Sequence, residues 1–445
     1  MLEFVLDHRR CALLATMGTG KTIVAALAAE TLLLAGKADK VLVVGPHRVA
    51  STTWPDEFAR WADFEGLRVS CMVGDERRRE RALTTPADIY TINYDVLPWL
   101  EQATGTKWPF ELVIGDELTR LKSYRPRQGG ERAASLARCM RRRRGGYFIG
   151  ATGTFTSKGL QDVWGQMWFI DGGLRLGRNF TEYKQRYFRK EGYKLVALPH
   201  ARQQVLDKVK DVCMSVDLVN YVDLTKEFHN DIVVDLPLKA REAYASMEKR
   251  LFAQLEAGTI TAATQAVKTL KCLQLASGAA YTNPEGTAWE VVHNAKLEAL
   301  ESVIEEAAGA PVIVCYHFKS DLVRLQKAFP EGRHLDKKPE TLHAFCRGDI
   351  PILFLHPASA GHGIDGMQHA CNQIVFFSHW WSMEEKQQAI ARIGPVRQMQ
   401  AGLQRPVFVH NIVAHNTMDE AVLWGQRNDK DLLDWWMDKT RKESL

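Results

Sequence analysis

The chain has 445 residues, of which 46% are hydrophobic and 25% are charged. These proportions are typical of soluble globular proteins, and they exclude a disordered or collagen-like chain. The length predicts two to four domains of about 100–200 residues each, and the formal net charge of +5 permits a polyanionic partner without requiring one.

The first third of the chain alternates short apolar runs with amphipathic stretches. The apolar runs are rich in Val, Ile and Leu without polar alternation, which is typical of parallel strands buried on both faces. The predicted strands are residues 11–16, 41–44, 69–73, 89–93, 112–114 and 147–151, and the clearest predicted helices are 21–34 and 56–62. This βαβ alternation predicts a parallel sheet covered by helices.

The middle of the chain has a different pattern. Residues 153–228 are aromatic and basic with few clear strands, and residues 238–275 have helical periodicity. Strand–helix alternation then resumes, with predicted helices at 296–308 and 321–328 and predicted strands at 312–316, 352–355, 374–377 and 407–412. We therefore predict an α/β fold with a first parallel-sheet lobe (1–155), a helical insert and linker region (156–295) and a second parallel-sheet lobe (296–445).

The cysteine and hydropathy patterns favour a cytoplasmic protein. None of the eight cysteines forms a Cys-x-x-Cys pair, and most lie in apolar stretches, as is typical of buried free thiols in a reducing compartment. The N-terminus lacks the charged and apolar regions of a secretory signal. The longest apolar stretch, residues 23–35, is interrupted by Glu30 and Thr31 and is too short to cross a bilayer.

Residues 15–22, Ala-Thr-Met-Gly-Thr-Gly-Lys-Thr, have the sequence context of a phosphate-binding loop, because they follow a predicted strand and open a predicted helix. Glycines let backbone N–H groups point into one concavity, and the helix N-terminus adds partial positive charge. Lys21 is expected to contact the β- and γ-phosphates, and the Thr22 hydroxyl to coordinate Mg²⁺. The alternative is a plain glycine turn, since Ala15 stands where the strict pattern has Gly. The predicted cofactor-binding residues are Met17, Gly18, Thr19, Gly20, Lys21 and Thr22.

Two adjacent carboxylates, Asp116 and Glu117, follow the predicted strand 112–114. A nucleotide-hydrolysing site needs one carboxylate to hold Mg²⁺ and another group to position water. We assign the metal role to Asp116 and the base role to Glu117. Such a pair alone is usually a solvated turn, and its occurrence in the same predicted lobe as Lys21 favours the catalytic interpretation.

Six segments together resemble the Swi/Snf-like branch of the superfamily-two helicases, which are DNA-dependent translocases. In order and spacing they are similar to that family's motifs Ia, II, III, IV, V and VI, at residues 41–61, 116–122, 150–154, 311–319, 355–366 and 381–398. The resemblance covers nearly the whole chain, and its compact form is similar to several phage-encoded helicases. It implies two RecA-like lobes that bind ATP and Mg²⁺, and an ATP-dependent DNA helicase or translocase in the cytoplasm, that of the host for a phage protein. The implied partners are duplex, branched or single-stranded DNA and proteins of replication or recombination.

The resemblance also implies an arginine from the second lobe that stabilises charge on the transferring phosphoryl group. Gln388 and Arg392 match the family's motif VI. The position of its second arginine holds Pro395, and Arg397 stands two residues later. Because the Gly-Pro step is expected to end the helix that carries Arg392, we assign the role to Arg397, with Arg392 as the alternative.

Three other family features bear on the site. Thr152 and Thr154 in motif III are expected to relay between the ATP site and the DNA groove. Motif V departs from the family pattern, with His362 where Gly is usual and Asp365 where Asn is common. The family's adenine-reading glutamine has no counterpart before the loop, so either the base is contacted differently, for example by stacking on an arginine at 9–10, or the chain begins late relative to its relatives.

A translocase grips the phosphate backbone, because contacts that move along DNA must ignore its sequence. The positions that match family contacts are Arg48, Thr156, Ser157, Lys319 and Ser320, with Arg120 and Lys122 on the same face. The aromatic and basic segment is either a clamp or a helix with inward-packed aromatic rings, and it includes Arg178, Tyr183, Lys184, Arg186, Tyr187 and Arg189. Two C-terminal tryptophans, Trp435 and Trp436, are expected to cover the core of the second lobe. Arginine runs at 77–79 with Arg81, at Arg125 and Arg127, and at 141–144 are each typical of a solvated surface.

Two other classes of protein remain as alternatives. A small-molecule kinase or nucleotide-binding regulator also uses a Gly-Lys-Thr loop, but it has no use for Gln388 and Arg392 in a second lobe. A nucleic-acid-binding module with a silent ATPase is disfavoured by Lys21, Asp116 and Glu117. The sequence leaves open whether DNA strands are separated or DNA-bound material is remodelled without separation, and whether RNA replaces DNA.

Overall fold

The computed structural model describes residues 1–428 except 16–17, 127–129, 144, 154, 156–158, 192–193, 217–223, 257–261, 284–285, 337–338 and 361–363. Several residues singled out from the sequence lie outside the described residues: Met17, Arg127, Arg144, Thr154, Thr156, Ser157, His362, Trp435 and Trp436. The chain divides into two compact units, Met1–Val222 and Asp223–Leu445. The region 156–295, expected between the lobes, contributes to both units.

The first unit consists of parallel strands and the helices that connect them. Its strands are β1 (Arg10–Ala15), β2 (Val41–Gly45), β3 (Val69–Met72), β4 (Ile89–Asn93), β5 (Leu112–Asp116), β6 (Tyr147–Thr152), β7 (Phe188–Glu191), β8 (Lys194–Ala197) and β9 (Cys213–Val216). Its helices are α1 (Leu2–Asp7), α2 (Lys21–Leu34), α3 (Trp54–Arg60), α4 (Glu76–Thr84), α5 (Leu97–Thr104), α6 (Glu131–Arg142), α7 (Val163–Asp171), α8 (Phe180–Tyr187) and α9 (Ala201–Val209).

Within the described residues, the first unit has a seven-stranded sheet in the order β3-β4-β2-β5-β6-β1-β9. Every neighbouring pair in it runs parallel. β7 and β8 form a separate antiparallel pair. Because the carboxyl ends of parallel strands meet at one edge, the segments that follow β5, β6 and β1 lie side by side.

Both faces of this sheet are buried, which explains why its strands lack polar alternation. On β2, Leu42 and Val44 pack into the cluster that contains residues of α5, α6 and α7. Val41 and Val43 point to the other face and pack with residues of α2 and α3.

The second unit repeats this plan. Its strands are β10 (Glu227–Val234), β11 (Ala279–Tyr281), β12 (Trp289–Val291), β13 (Val312–Cys315), β14 (Arg333–His334), β15 (Ile352–Leu355), β16 (Gln373–Phe376) and β17 (Val407–Ala414). Its helices are α10 (Leu238–Glu256), α11 (Ala262–Ser277), α12 (Ala295–Glu306), α13 (Lys319–Ala328), α14 (Pro339–Cys346), α15 (Pro357–Ala360), α16 (Met367–Ala370), α17 (Met383–Ala391), α18 (Pro395–Gln400) and α19 (Met418–Asn428).

The described strands of the second unit form a six-stranded parallel sheet in the order β10-β17-β16-β13-β15-β14, and β11 pairs antiparallel with β12. Ile313 and Cys315 pack on one face of the sheet, with residues of α14, α16 and α17. Val312 and Val314 pack on the other face, with residues of α12 and α13. Two parallel sheets, each covered on both faces, confirm the predicted fold class.

A buried ion pair ties α12 to α19 in the second unit. Lys296 Nζ lies 2.5 Å from Asp419 Oδ2, and both side chains are at most 1% exposed. Lys296 also donates to the carbonyl of Phe377 at 3.1 Å, and Asp419 accepts from the backbone N–H of Ala414 at 2.9 Å. The pair thereby joins two helices to the ends of β16 and β17.

Most predicted elements are confirmed. The predicted helix 21–34 and the predicted strands 89–93 and 352–355 have the observed bounds. The sequence did not predict β9, which extends the first sheet beyond β1, or β10, which borders the second sheet. The predicted helical stretch 238–275 is two helices, α10 and α11.

The sequence predicted free thiols and no apolar stretch long enough to cross a bilayer. Among the described residues, none of the helices is both long enough and apolar enough to span a membrane. All eight cysteines belong to the described part, and each is a free thiol.

Candidate active site

The turn from β1 into α2 places the predicted phosphate-binding residues at the carboxyl edge of the first sheet. Gly18 and Gly20 have φ angles of 82° and 80°, a left-handed conformation that favours glycine. Gly20 is the N-cap of α2, so the helix begins at Lys21 with its first N–H groups facing the loop. Thr19 and Thr22 are half-buried. The geometry suits an anion, because backbone donors and a helix N-terminus converge there.

Lys21 lies beside both predicted carboxylates. Its Nζ donates to the carbonyl of Ala15 at 2.5 Å, which folds the side chain back over the loop. Burial lowers the pKa of Lys21, while the charges of Asp116 and Glu117 raise it. The structure therefore brings together the three residues that the sequence predicted for phosphate binding, metal binding and proton transfer.

Asp116 ends β5 and is held by an indole. Trp54 Nε1 on α3 donates to Asp116 Oδ2 at 2.8 Å, and Trp54 is 1% exposed. The Tyr94 hydroxyl donates to the backbone carbonyl of Asp116 at 2.9 Å. Burial raises the pKa of Asp116, whereas the Trp54 hydrogen bond and the Lys21 charge lower it. A desolvated carboxylate with a fixed orientation suits a divalent cation.

Glu117 is oriented by two threonine hydroxyls. Thr119 Oγ1 donates to Glu117 Oε1 at 2.7 Å, and Thr152 Oγ1 at the end of β6 donates to the same oxygen at 3.1 Å. The backbone of Glu117 is left-handed, with φ of 63°, which costs a non-glycine residue about 1–2 kcal/mol. The contact with Thr152 follows from strand order, because β6 lies between β5 and β1. Motif III thus touches the predicted base directly.

The residues present fit a Mg²⁺ site of the nucleotide-bound kind. Mg²⁺ prefers oxygen ligands and in such sites takes one or two protein oxygens, with substrate phosphates and water completing the octahedron. Thr22 offers a hydroxyl and Asp116 a half-buried carboxylate. In the part of the chain that the structure describes, no three His, Cys, Asp or Glu side chains gather into an all-protein metal site. Thr22 and Asp116 remain the proposed ligands.

Motif VI of the second unit forms two short helices. Gln388 lies on α17, where its amide donates to Glu384 at 3.4 Å. Arg392 is the C-cap of α17, is 8% exposed, and donates to the carbonyl of Ile364 at 2.9 Å. As expected, α17 ends before the Gly-Pro step, and Pro395 then begins a second helix, α18.

Arg397 lies on α18 and contacts motif V. Its guanidinium forms an ion pair with Asp365 at 3.1 Å, and 26% of its side chain is exposed. Asp365 also accepts from the backbone N–H of Gly366 at 2.9 Å. Both candidate arginines therefore bind the same segment, Arg392 through a carbonyl and Arg397 through a carboxylate.

The predicted nucleic-acid contacts differ in accessibility. Arg48 follows β2 and is half-exposed, and Lys319 begins α13 and is exposed. Ser320 is fully buried, and its backbone N–H donates to the Tyr281 hydroxyl at 2.9 Å. A buried hydroxyl cannot reach a phosphate, which leaves Lys319 as the member of this pair able to do so. Of the other two, Arg120 is exposed, whereas Lys122 lies 3.9 Å from Asp162.

The aromatic and basic segment packs inward. Tyr183 and Tyr187 on α8 are at most 1% exposed and belong to the core of the first unit. The Tyr183 hydroxyl donates to the carbonyl of Leu160 at 2.7 Å. Arg186 pairs with Glu182 on the same helix at 3.0 Å. The inward-packed interpretation is therefore correct for these rings.

Adenine stacking on the first arginines conflicts with the structure. Arg9 and Arg10 lie at the amino end of β1, whereas the phosphate-binding loop follows its carboxyl end. A six-residue strand separates these ends by roughly 17 Å at 3.3–3.4 Å per residue. The Arg9 guanidinium instead lies 5.5 Å from the centre of the Tyr147 ring, and Arg10 donates to the carbonyl of Gly146 at 3.2 Å.

Sequence reasoning missed three residues that support the site. Trp54 lies inside the segment that resembles motif Ia, but its partner, Asp116, is 62 positions away. Tyr94 lies just after β4 and has no sequence signal of its own. Asp365 was noted as a departure from the family pattern, and its contact with Arg397 appears only in three dimensions.

Residues 2–279, more than half of the chain, match the SNF2-related domain family. The chain belongs to the SNF2-related family. A protein called p41 from Acyrthosiphon pisum secondary endosymbiont phage 1 is 45% identical over 438 residues, covering 97% of this chain and 94% of p41. An uncharacterized ATP-dependent helicase of Mycoplasma pneumoniae is 21% identical over 438 residues, covering 94% of this chain and 39% of that protein.

Among solved structures, the Hef helicase domain of Pyrococcus furiosus superposes with a TM-score of 0.52 at 14% identity, covering 96% of this chain and 97% of that domain. That likeness concerns the fold. Together with the family match, it gives the chain a SNF2-related, helicase-like ATPase core.

Proposed function

We propose that this SNF2-related chain is an ATP-dependent DNA helicase or translocase, which hydrolyses ATP to move along DNA. The observation that carries the proposal is the grouping of Lys21, Asp116 and Glu117 at the carboxyl edge of one parallel sheet. The hydroxyl of Thr152 in motif III donates to Glu117, which supports a link between hydrolysis and the segments that follow β6.

Each proposed site residue of the first unit has a distinct part in hydrolysis. The loop N–H groups and Lys21 hold the phosphates, and Thr22 and Asp116 hold Mg²⁺. When bound, Mg²⁺ neutralises charge on the β- and γ-phosphates. Glu117, oriented by Thr119 and Thr152, accepts the proton of the attacking water.

The second unit is proposed to supply positive charge to the transferring phosphoryl group. Arg397 is the candidate, since its guanidinium is partly exposed. Arg392 is the weaker candidate, because it is buried and occupied by the carbonyl of Ile364. Gln388 stands four residues before Arg392 on α17 and is half-buried, so it is proposed to act beside these arginines.

Contacts to DNA are proposed through the phosphate backbone. Arg48 and Lys319 are accessible and form no ion pair with any described residue. Thr156 and Ser157 complete the proposed set by resemblance alone. Such contacts ignore base sequence, as movement along DNA requires.

The test is a comparison of ATP hydrolysis without nucleic acid and with single-stranded DNA, duplex DNA, forked DNA and RNA. We expect stimulation by DNA, and unwinding of a forked substrate separates a helicase from a translocase or a remodelling ATPase. Stimulation by RNA alone would contradict the choice of DNA. A chain that phosphorylates a small molecule without nucleic acid would be a kinase instead.

Two variants test the assignment of the site. Lys21→Ala should abolish hydrolysis, and Glu117→Gln should retain ATP binding while turnover stops. Thr104→Val, at a hydroxyl that donates only to carbonyls within α5, is the control and should hydrolyse ATP normally. Normal turnover in Glu117→Gln would show that another group accepts the proton.

A further inference from the structure

Helix α4 carries the run of arginines at 77–79 with Arg81, and its fold role does not explain them. α4 has no buried residue and attaches to the sheet through the half-buried Ala82 and Leu83. The Ser70 hydroxyl of β3 donates to the carbonyl of Ala82 at 2.8 Å. Packing against the sheet therefore does not determine the identity of the other side chains of the helix.

The four arginines fall into two groups. Arg79 is a packing residue, because it donates to the carbonyl of Gly74 at 2.7 Å and its guanidinium lies 4.9 Å from the centre of the Trp99 ring. Arg77, Arg78 and Arg81 are exposed, and within the described residues none of the three forms an ion pair.

The placement of two of these arginines opposes helix stability. Arg77 and Arg78 lie in the first turn, where the helix dipole disfavours cations, whereas Arg81 lies in the last turn, where the dipole favours them. Arg77 and Arg81 are four residues apart on one face, where like charges repel. The N-cap Asp75 accepts from the backbone N–H of Arg78 at 2.9 Å and satisfies the helix end without them. The stability of the helix therefore does not account for Arg77 and Arg78.

The position of α4 relates the cluster to Arg48. The first turn of α4 follows the carboxyl end of β3, and Arg48 follows the carboxyl end of β2. Both strands belong to one parallel sheet with only β4 between them, so their ends stand about 10 Å apart on the same edge. Arginine presents a planar fork that binds phosphate oxygens in pairs.

We propose that Arg77, Arg78 and Arg81 form a phosphate-contact surface on α4, which extends the proposed nucleic-acid contact of Arg48 past β4 to the edge strand β3. This inference rests on the proposed function, because it takes nucleic acid as the partner. Its chemistry is a sugar-phosphate backbone bound without regard to base sequence.

The experiment measures affinity for a fluorescently labelled duplex DNA by anisotropy between about 50 and 200 mM salt, a range over which phosphate contacts weaken strongly. The test variant is Arg77→Gln/Arg78→Gln/Arg81→Gln in the full chain. The charge-matched control is Arg202→Gln/Lys208→Gln/Lys210→Gln, whose exposed side chains lie on and just after α9. Thermal unfolding of each variant establishes that it is folded.

The test variant should lose affinity equally for unrelated DNA sequences. The slope of log affinity against log salt should fall by about 2–3, at about 0.9 for each phosphate of duplex DNA that the variant no longer neutralises. The control should keep the wild-type slope. An RNA duplex in parallel shows whether the surface accepts both backbones.

Three results would overturn the inference. If the test variant has wild-type affinity and slope, α4 is not a phosphate-contact surface, and the proposed function is unaffected. If the test variant and the control lose the same amount of DNA affinity, the loss is due to net charge and not to the position of the arginines. If the wild-type chain binds no nucleic acid, the proposed function and this inference fail together.

Discussion

Arg397 forms an ion pair with Asp365, with 3.1 Å between Nη1 and Oδ1. Asp365 stands where the Swi/Snf-like proteins that the chain resembles commonly have Asn, and Arg397 stands two residues after the position of their second motif VI arginine. Their contact ties α18 to the segment before α16 and holds the guanidinium where part of it meets solvent. Two departures that look independent in the sequence are therefore in direct contact in the structure.

Arg397→Ala should reduce ATP turnover by about 10³-fold or more, the range found for arginine fingers. Asp365→Asn should reduce turnover less, because an amide oxygen still accepts from the guanidinium. Steady-state hydrolysis at saturating ATP measures both variants, and their double mutant shows whether the effects are coupled. Arg397→Ala at the wild-type rate would transfer the role to Arg392.

Trp54→Phe should weaken the response to Mg²⁺, because it removes the N–H that orients Asp116 while keeping an aromatic ring beside Phe58. We expect an apparent Mg²⁺ affinity lower by about 10–100-fold, the usual effect of losing a partner of a metal ligand. Binding of a fluorescent ATP analogue as a function of Mg²⁺ concentration measures it without turnover. The control is Trp61→Phe, at an indole that is 43% exposed and donates to Glu57 at 3.1 Å. Identical Mg²⁺ curves for the two variants would rule out the positioning role.

Lys296→Met should destabilise the second unit by about 3–5 kcal/mol, because it leaves the Asp419 carboxylate buried without its cation. Asp419→Asn combined with Lys296→Met should recover part of the loss, since the amide oxygen still accepts from Ala414. Urea unfolding of the full chain, followed by circular dichroism, measures the difference. Lys327→Met, at an exposed lysine on α13, should change stability by less than about 0.5 kcal/mol. Equal changes in the free energy of unfolding for the two variants would show that the buried ion pair does not stabilise the fold more than an exposed lysine does.

His293 should make the second unit sensitive to acid. Burial lowers the pKa of His293 to about 4, with Lys296 and Arg324 adding to the effect and the carbonyl of Leu275 opposing it. The folded state therefore binds fewer protons than the unfolded state between about pH 6.5 and 4, so stability falls as pH falls through that window. The loss is complete near pH 4 at about 3 kcal/mol.

Stability curves against pH for wild type and His293→Gln measure this contribution. Glutamine does not titrate, so the difference between the two curves should change across the window and be flat above it. His343→Gln, at an exposed histidine on α14, is the control and should follow the wild-type curve. A His293→Gln curve parallel to wild type throughout would contradict the assignment.

The fold was predictable where a segment's own sequence decides its structure. α2 was predicted to the residue, because Lys21–Leu34 opens after a glycine and continues as a mainly apolar helix, with Glu30 and Thr31 within it. β9 was missed because Cys213–Val216 is short and gains its structure by pairing with β1. β10 was missed because most of Glu227–Val234 is exposed at a sheet edge and lacks an apolar pattern.

The site was predictable for residues that carry a motif, and less so for their partners. Lys21, Asp116 and Glu117 come together because strand order fixes which loops are neighbours. Trp54 could not be assigned to Asp116, since that contact depends on how α3 packs on the sheet. Ser320 was expected at a phosphate, but the start of α13 turns its side chain inward.

β9 covers one side of β1, the strand that leads into the predicted phosphate-binding loop. The chain leaves this unit at β9 and passes through residues 217–223 to the second unit. β9 runs parallel to β1 in the register Ala12 with Cys213 through Ala15 with Val216. This pairing makes β1 an inner strand of the sheet, flanked by β6 on one side and β9 on the other.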